Sequence, residues 1–315
     1  MSMNAALLLN RDLLRRALPG VTLAVLLAPI FVMKPITMTQ FGLTLIFQYA
    51  VPIALATIAQ MFVIAVNDLD LSIGAFVGLV TCIAGLYLPT EPILGIVLLL
   101  LCIAAYAAIG ALIHLRNLPS IVVTLGMSFV WAGLAVLLLP TPGGKAPDWL
   151  HALMNLKVPM VPFPIIAALV IAVLVQAALM HSSYGVVLRG SGGNPKAVAR
   201  AGWSLLKTKM MMFGLAGTFG VLSGLSLIGL TTSADAHIAD RYTLYSIAGV
   251  ILGGGAFIGG IVSPAGAVLG ALTLASAGWL LGFLHISPDW QIGAQGAILI
   301  IVLTLRALIS RGAGR

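Results

Sequence analysis

The feature that most constrains this chain is a succession of apolar runs, each about 20 residues long, separated by short polar links. Runs fall at about 17–33, 43–66, 72–88, 92–115, 119–140, 158–180, 210–230, 244–260, 266–286 and 291–305. A run of that length matches the thickness of a bilayer core when wound as a helix, at about 1.5 Å per residue. None of them alternates apolar and polar residues as the strands of a membrane barrel do. The composition agrees: 61% of the residues are hydrophobic and 8% charged, against about 25% charged in a soluble domain. The expected fold is therefore an all-α integral membrane protein of about ten transmembrane helices, forming one transmembrane domain over residues 1–315, with the lipid bilayer as its surroundings.

Charge supplies the orientation. The net charge of +8 would suggest nucleic acid in a soluble protein, but the cations here lie between apolar runs with no interleaved aromatics. If each run crosses once from a cytoplasmic N-terminus, Arg11, Arg15, Arg16, Arg116, Arg189, Lys196, Arg200, Lys207, Lys209, Arg306, Arg311 and Arg315 fall inside. Lys34, Lys145, Lys157 and Arg241 fall outside. Twelve of the sixteen Lys and Arg on the cytoplasmic side is the bias that sets topology, and it places both termini inside. A periplasmic loop is expected at about 141–157 and the longest cytoplasmic loop at about 181–209. No small-residue cleavage site follows the first run, so it reads as a retained helix.

The sequence carries no HExxH, GxSxG or paired carboxylates, and no GxxxxGK[ST] to cradle phosphates. Its five histidines are dispersed, and Cys82 and Cys102 sit inside apolar runs without metal-ligand spacing. These absences argue against an enzyme and a metal site. Neutral polar residues do lie within the runs: Thr57, Gln60, Thr124, Ser128, Gln176, Gln291 and Gln295. They suit either hydrogen bonds between helices or contacts to an uncharged, hydroxyl-rich solute. Gln60, Thr124, Gln291 and Gln295, with Asn67, Asp70 and Ser72, are the candidates for lining a path. The alternative is a proton-coupled transporter acting without partners, with Asp68 or Asp70 titrating between the second and third runs.

Three local patterns stand out. In Asn67-Asp68-Leu69-Asp70-Leu71-Ser72, Asp and Ser before an apolar run are suited to cap a helix. Gly192-Gly193-Asn194-Pro195-Lys196-Ala197-Val198-Ala199-Arg200-Ala201-Gly202 reads as a short helix, capped by Asn194, with Pro195 at its first position and Gly202 as its stop. Small side chains would let such a helix seat in a partner's groove. Gly253-Gly254 and Gly259-Gly260 read as structural glycines of a tight turn between packed helices.

At these three places the chain resembles the permease subunits of bacterial ABC importers for simple sugars, the ribose type. The family pattern Ile-Asp-Leu-Ser-Val-Gly is similar to Leu69 through Gly74. Gly-Gly-Asn-Pro-x-Ala-Ala-x-x-x-Gly is similar to Gly192 through Gly202, with Val198 in place of the second Ala. Ala-Ile-Ala-x-x-x-Leu-Gly-Gly, followed by a second Gly-Gly, is similar to Ser246 through Gly254 and to Gly259-Gly260. The resemblance covers about residues 40 to 308 and implies two inverted halves either side of the central loop. It also implies a homodimer, a periplasmic sugar-binding protein, and separate ABC ATPase subunits carrying ATP and Mg. Those subunits would dock at Gly192, Gly193, Asn194, Pro195, Ala197, Arg200 and Gly202. The chain departs from the family at Asn67-Asp68, where Gly-Gly is common, at Thr243-Leu244, where Glu-Leu is frequent, and at Ile261-Val262.

Overall fold

The computed structural model describes residues 3–287, with side chains from residue 17 onward, and then residues 290, 293, 296, 297, 300 and 304. Gln291 and Gln295, in the tenth run, lie outside the described residues. The helices are α1 (Met3–Met33), α2 (Gln40–Phe47), α3 (Ala50–Ile64), α4 (Ile73–Tyr87), α5 (Pro92–Arg116), α6 (Ser120–Leu138) and α7 (Asp148–Met154). After them come α8 (Phe163–Met180), α9 (Ser183–Gly193), α10 (Pro195–Arg200), α11 (Leu205–Thr231), α12 (Tyr242–Leu252) and α13 (Pro264–Phe283). Among the described residues there is no strand, only a bridge between Gly143 and Ala234.

α5, α6, α8, α11 and α13 are each long and apolar enough to cross a membrane, and α2 with α3, bent by 41° at the break between them, is so when taken as one span. Local chemistry starts and stops them. Proline occupies the first turn of α5, α8 and α13, where its missing N–H costs nothing. The Ser204 and Ser263 hydroxyls accept from Lys207 N and Gly266 N at the starts of α11 and α13.

α11 measures the molecule. At one end Lys209 forms an ion pair with Asp68, 2.8 Å apart. At the other the Gly229 carbonyl lies 2.9 Å from His151 Nδ1. The helix rise separates these two levels by about 30 Å, the thickness of a bilayer core. We call them the near end, which holds residues 181–209, and the far end, which holds residues 141–157. α3 runs down the middle with every residue from Ala50 to Ile64 buried, and it packs on α11, α12 and α13. α6 and α8 instead present Ile121, Val122, Phe129, Leu137, Leu169 and Leu174 outward, as a lipid-facing wall does.

The pattern of apolar runs misses two things. α4 and α12 are shorter than a membrane crossing, because each is half of a broken span. And the glycine run at the end of the eighth segment is not helical: α12 stops at Leu252, and Gly254, Gly259 and Gly260 take φ of +103°, +91° and +65°. The turn also lets chains touch. A Cβ on Gly253 would lie 2.3 Å from the Gly266 carbonyl carbon.

Candidate functional site

The two broken spans meet in the middle of the bundle. α3 ends at Ile64, and Asn67 turns the chain with φ +61°. Residues 67–72 then climb without helix to α4. α11 ends at Thr231, Thr232 turns the chain with φ +64°, and residues 232–241 return towards the centre before α12 begins. α4 packs along α11 as α12 packs along α3. The half-helix starts are adjacent: Gly74 N donates to Thr243 Oγ1 at 3.0 Å. The level is halfway along α11, since a Cβ on Gly220 would meet Phe76 and Ile73.

Non-helical backbone at membrane depth must find its hydrogen bonds within the protein, and every N–H of the first strip does so. Asn67 N and Asp68 N donate to the carbonyls of Ile64 and Val63. Leu69 N donates to Ser120 Oγ and Leu71 N to Thr124 Oγ1, both at 3.1 Å. The Gln60 carboxamide, its nitrogen towards the Asp70 carbonyl and its oxygen towards Asp70 N, makes two bonds of 3.1 Å, like a neighbouring strand. The Asp70 carboxylate accepts from Ser72 N at 2.7 Å, from Ser72 Oγ at 2.6 Å and from Tyr106 Oη at 2.6 Å. Tyr106 is held in turn against Phe76, with ring centroids 4.4 Å apart, and stacked at 6.2 Å on Trp131.

The second strip is secured at the far end by the Gly143–Ala234 bridge and by Ala146 N donating to the Thr232 carbonyl. Its backbone then runs against α4, where Cβ atoms on Gly78 and Gly74 would meet the carbonyls of Ala236 and Ala239 at 2.4 and 2.7 Å.

Residues 36–303 match the family described as the permease component of the branched-chain amino acid transport system. The chain belongs to this family. The permease is 26% identical to the galactose/methyl galactoside import permease protein of Escherichia coli K12, covering 91% of this chain and 93% of that protein. It is 27% identical to the ribose import permease protein of Bacillus subtilis 168, over 80% of each chain. An autoinducer 2 import system permease protein of Salmonella paratyphi B is 28% identical over 87% of this chain and 81% of its own. No solved structure matches the permease. These relatives are transport permeases rather than enzymes, and the protein is a multi-pass component of the bacterial inner membrane.

The path candidates Gln60, Asp70, Ser72 and Thr124 come together as one cluster, all buried. Their hydrogen-bonding groups are directed at one another and at the strip's backbone, so they hold the strip in place. Capping also differs from expectation. Ser72 makes no side-chain cap to α4, because its hydroxyl is turned back to Asp70. The proton-coupled alternative finds no support among the relatives. Asp68 is paired with Lys209, and Asp70 is enclosed by three donors.

Asn67 stands apart from the cluster, exposed at the near end. Its Nδ2 donates to the Gly192 carbonyl at 2.6 Å, and its Oδ1 accepts from Gly259 N at 3.0 Å. One side chain thus ties the end of α3 to the end of α9 and to the glycine turn after α12. The seven residues expected at the docking loop divide. Gly192 is buried, where a Cβ would lie 2.2 Å from the Ala65 carbonyl oxygen, and Gly193 rests near the Gly259 carbonyl. Asn194, Pro195, Ala197, Arg200 and Gly202 are exposed on or beside α10, with Asn194 Oδ1 accepting from Ala197 N at 3.1 Å. The pattern of the loop did not reveal α9, whose first turn Ser182 caps by accepting from Gly185 N. Sequence reading also missed the second strip. It placed Arg241 outside the membrane, whereas the structure sets it beside Asp240, whose carbonyl oxygen a Cβ on Gly74 would approach to 3.0 Å. That is mid-depth.

Proposed function

We propose that this permease forms the translocation path of an ATP-driven importer for a monosaccharide or a related polyol. The observation that carries the reading is α10. It is a short helix with no buried residue, capped at both ends and lying against α9 and α11 at the near end, beside the junction made by Asn67. A helix of that kind is suited to seat in a groove of a motor subunit and pass its movement to the two broken spans. Galactose, ribose and xylose are the solutes named for relatives of this chain, which favours a neutral sugar over an amino acid.

On this reading the near end is cytoplasmic and the chain crosses ten times as one permease domain, with both termini inside, in keeping with twelve Lys and Arg on that side against Lys34, Lys145 and Lys157 on the other. Two copies pair as a homodimer. ATP and Mg are held by separate ABC ATPase subunits, because the chain has no phosphate-cradling loop of its own. A periplasmic sugar-binding protein delivers solute at the far end.

The test is purification of the tagged permease from its native membrane in mild detergent. An ATPase subunit should accompany it, and ATP hydrolysis should vanish when that subunit is stripped away. Robust hydrolysis by the permease alone, or its recovery without any ATPase at every detergent strength, would refute the assignment.

A further inference from the structure

We infer that the solute path runs along the second strip and the start of α12, with His237, Asp240 and Arg241 as its polar contacts. This deepens the importer reading and rests on it for the identity of the solute.

The inference comes from exposure at depth. Gly74, Ala239, Asp240 and Thr243 lie at one level, and that level is the middle of the bundle, where Ile73 and Phe76 meet Gly220 of α11. At this level, and within about one helical turn of it, the second strip turns ionisable side chains outward. The His237 side chain is 64% exposed and that of Asp240 56%, and Arg241 is exposed beside them. Their neighbour Leu244 on α12 is 68% exposed. Ionisable groups at the centre of a membrane face water or protein, not hydrocarbon. The first strip shows the contrast: Asp70, at a comparable depth, is wholly withdrawn among three donors. The outward face of the second strip therefore meets water or protein and not lipid.

The chemistry of that face fits an uncharged, polyhydroxylated solute. The backbone of the strip folds over Asp235, whose Oδ1 accepts from His237 N at 2.8 Å. His237 Nδ1 lies 3.1 Å from Asp240 Oδ2, so the second ring nitrogen and the other carboxylate oxygen are left for hydroxyl groups. Arg241 adds a fork of donors. Acids and bases alternate, so no large net charge would hold back a neutral solute or trap it.

The experiment uses the permease in its native membrane with its partners present and with Cys82 and Cys102 replaced by Ala. Single cysteines are placed as His237→Cys, Arg241→Cys and Leu244→Cys, with Leu101→Cys as control. Leu101 is exposed on α5 and close in depth, since its near neighbour Ile103 packs against Gly217. A membrane-impermeant cationic methanethiosulfonate should modify the first three faster than the control, on the order of tenfold or more, because a thiol in lipid stays protonated and unreached. Leu244→Cys alters no polar group, so it reports even if a variant in the cluster fails to fold. Reactivity no greater than the control at all three positions, with sugar uptake intact, would overturn the proposal while leaving the importer reading in place. Fast labelling in a chain that carries no sugar would have the opposite meaning.

Discussion

Tyr106 on α5 donates to Asp70 at 2.6 Å, with both side chains fully withdrawn from solvent. The bond joins α5 to the strip that precedes α4, and nothing else reaches that carboxylate oxygen from α5. Replacing Tyr106 by Phe keeps the ring contacts with Phe76 and Trp131 but leaves a buried carboxylate oxygen short of a donor. The expected cost is about 1–3 kcal/mol, read as a lowered melting point of the detergent-solubilised permease. Ser72→Ala should have a smaller effect, since Ser72 N remains to serve Asp70.

The pair of Asp68 and Lys209 calls for a double-mutant cycle. Their side chains are 10% and 20% exposed, so each charge loses much of its hydration and depends on the other. Asp68→Asn or Lys209→Met alone should destabilise by about 1–3 kcal/mol, and the double variant should cost less than the sum. Strict additivity of the two losses in thermal unfolding would show that the pair is not coupled.

Two glycines of the same helical class should behave oppositely. A Cβ on Gly270 would lie 2.2 Å from the Gly249 carbonyl oxygen, between α12 and α13, whereas one on Gly126 in α6 meets nothing within 4 Å. Gly270→Ala must push two backbones apart, at about 1–3 kcal/mol or more. Gly126→Ala should stay within about 0.5 kcal/mol in the isolated permease. Expression level and thermal stability of the two variants, compared side by side, decide the matter.

Ala197→Trp tests α10. The position is exposed, so the permease should fold and melt as the parent does. If α10 seats in an ATPase groove, the bulky ring should lower sugar uptake at least about tenfold and weaken co-purification of the ATPase. Unchanged uptake and recovery would remove α10 from the docking surface.

The outline of this fold was legible because lipid imposes one rule on long runs, that they be apolar. Nine of the ten runs mark helices among the described residues. The rule is silent where the chain breaks inside the membrane. Residues 67–72 and 232–241 contain polar groups, and a hydropathy reading treats both as links at the surface. Only the partners of Leu69, Asp70 and Leu71 show that the first strip is buried, and those partners lie 10 to more than 50 positions away in sequence. The sequence singles out several polar residues within the runs. Which of them face a path depends on depth and side, and Gln60 and Thr124 turned out to support backbone. The α10 helix was readable to within a residue because its cap, its proline and its glycine are all local signals.

The length of α12 has a consequence for how the molecule is made. Eleven residues reach only about 16 Å, too little for the insertion machinery to admit as a span of its own. In the fold α12 packs on α13 and α3, so its burial waits on those helices being in place. A ribosome that had released residues up to Leu252 would leave this half-helix at the surface, waiting for α13. Synthesis order, and not only final packing, is therefore written into where this permease keeps its shortest helix.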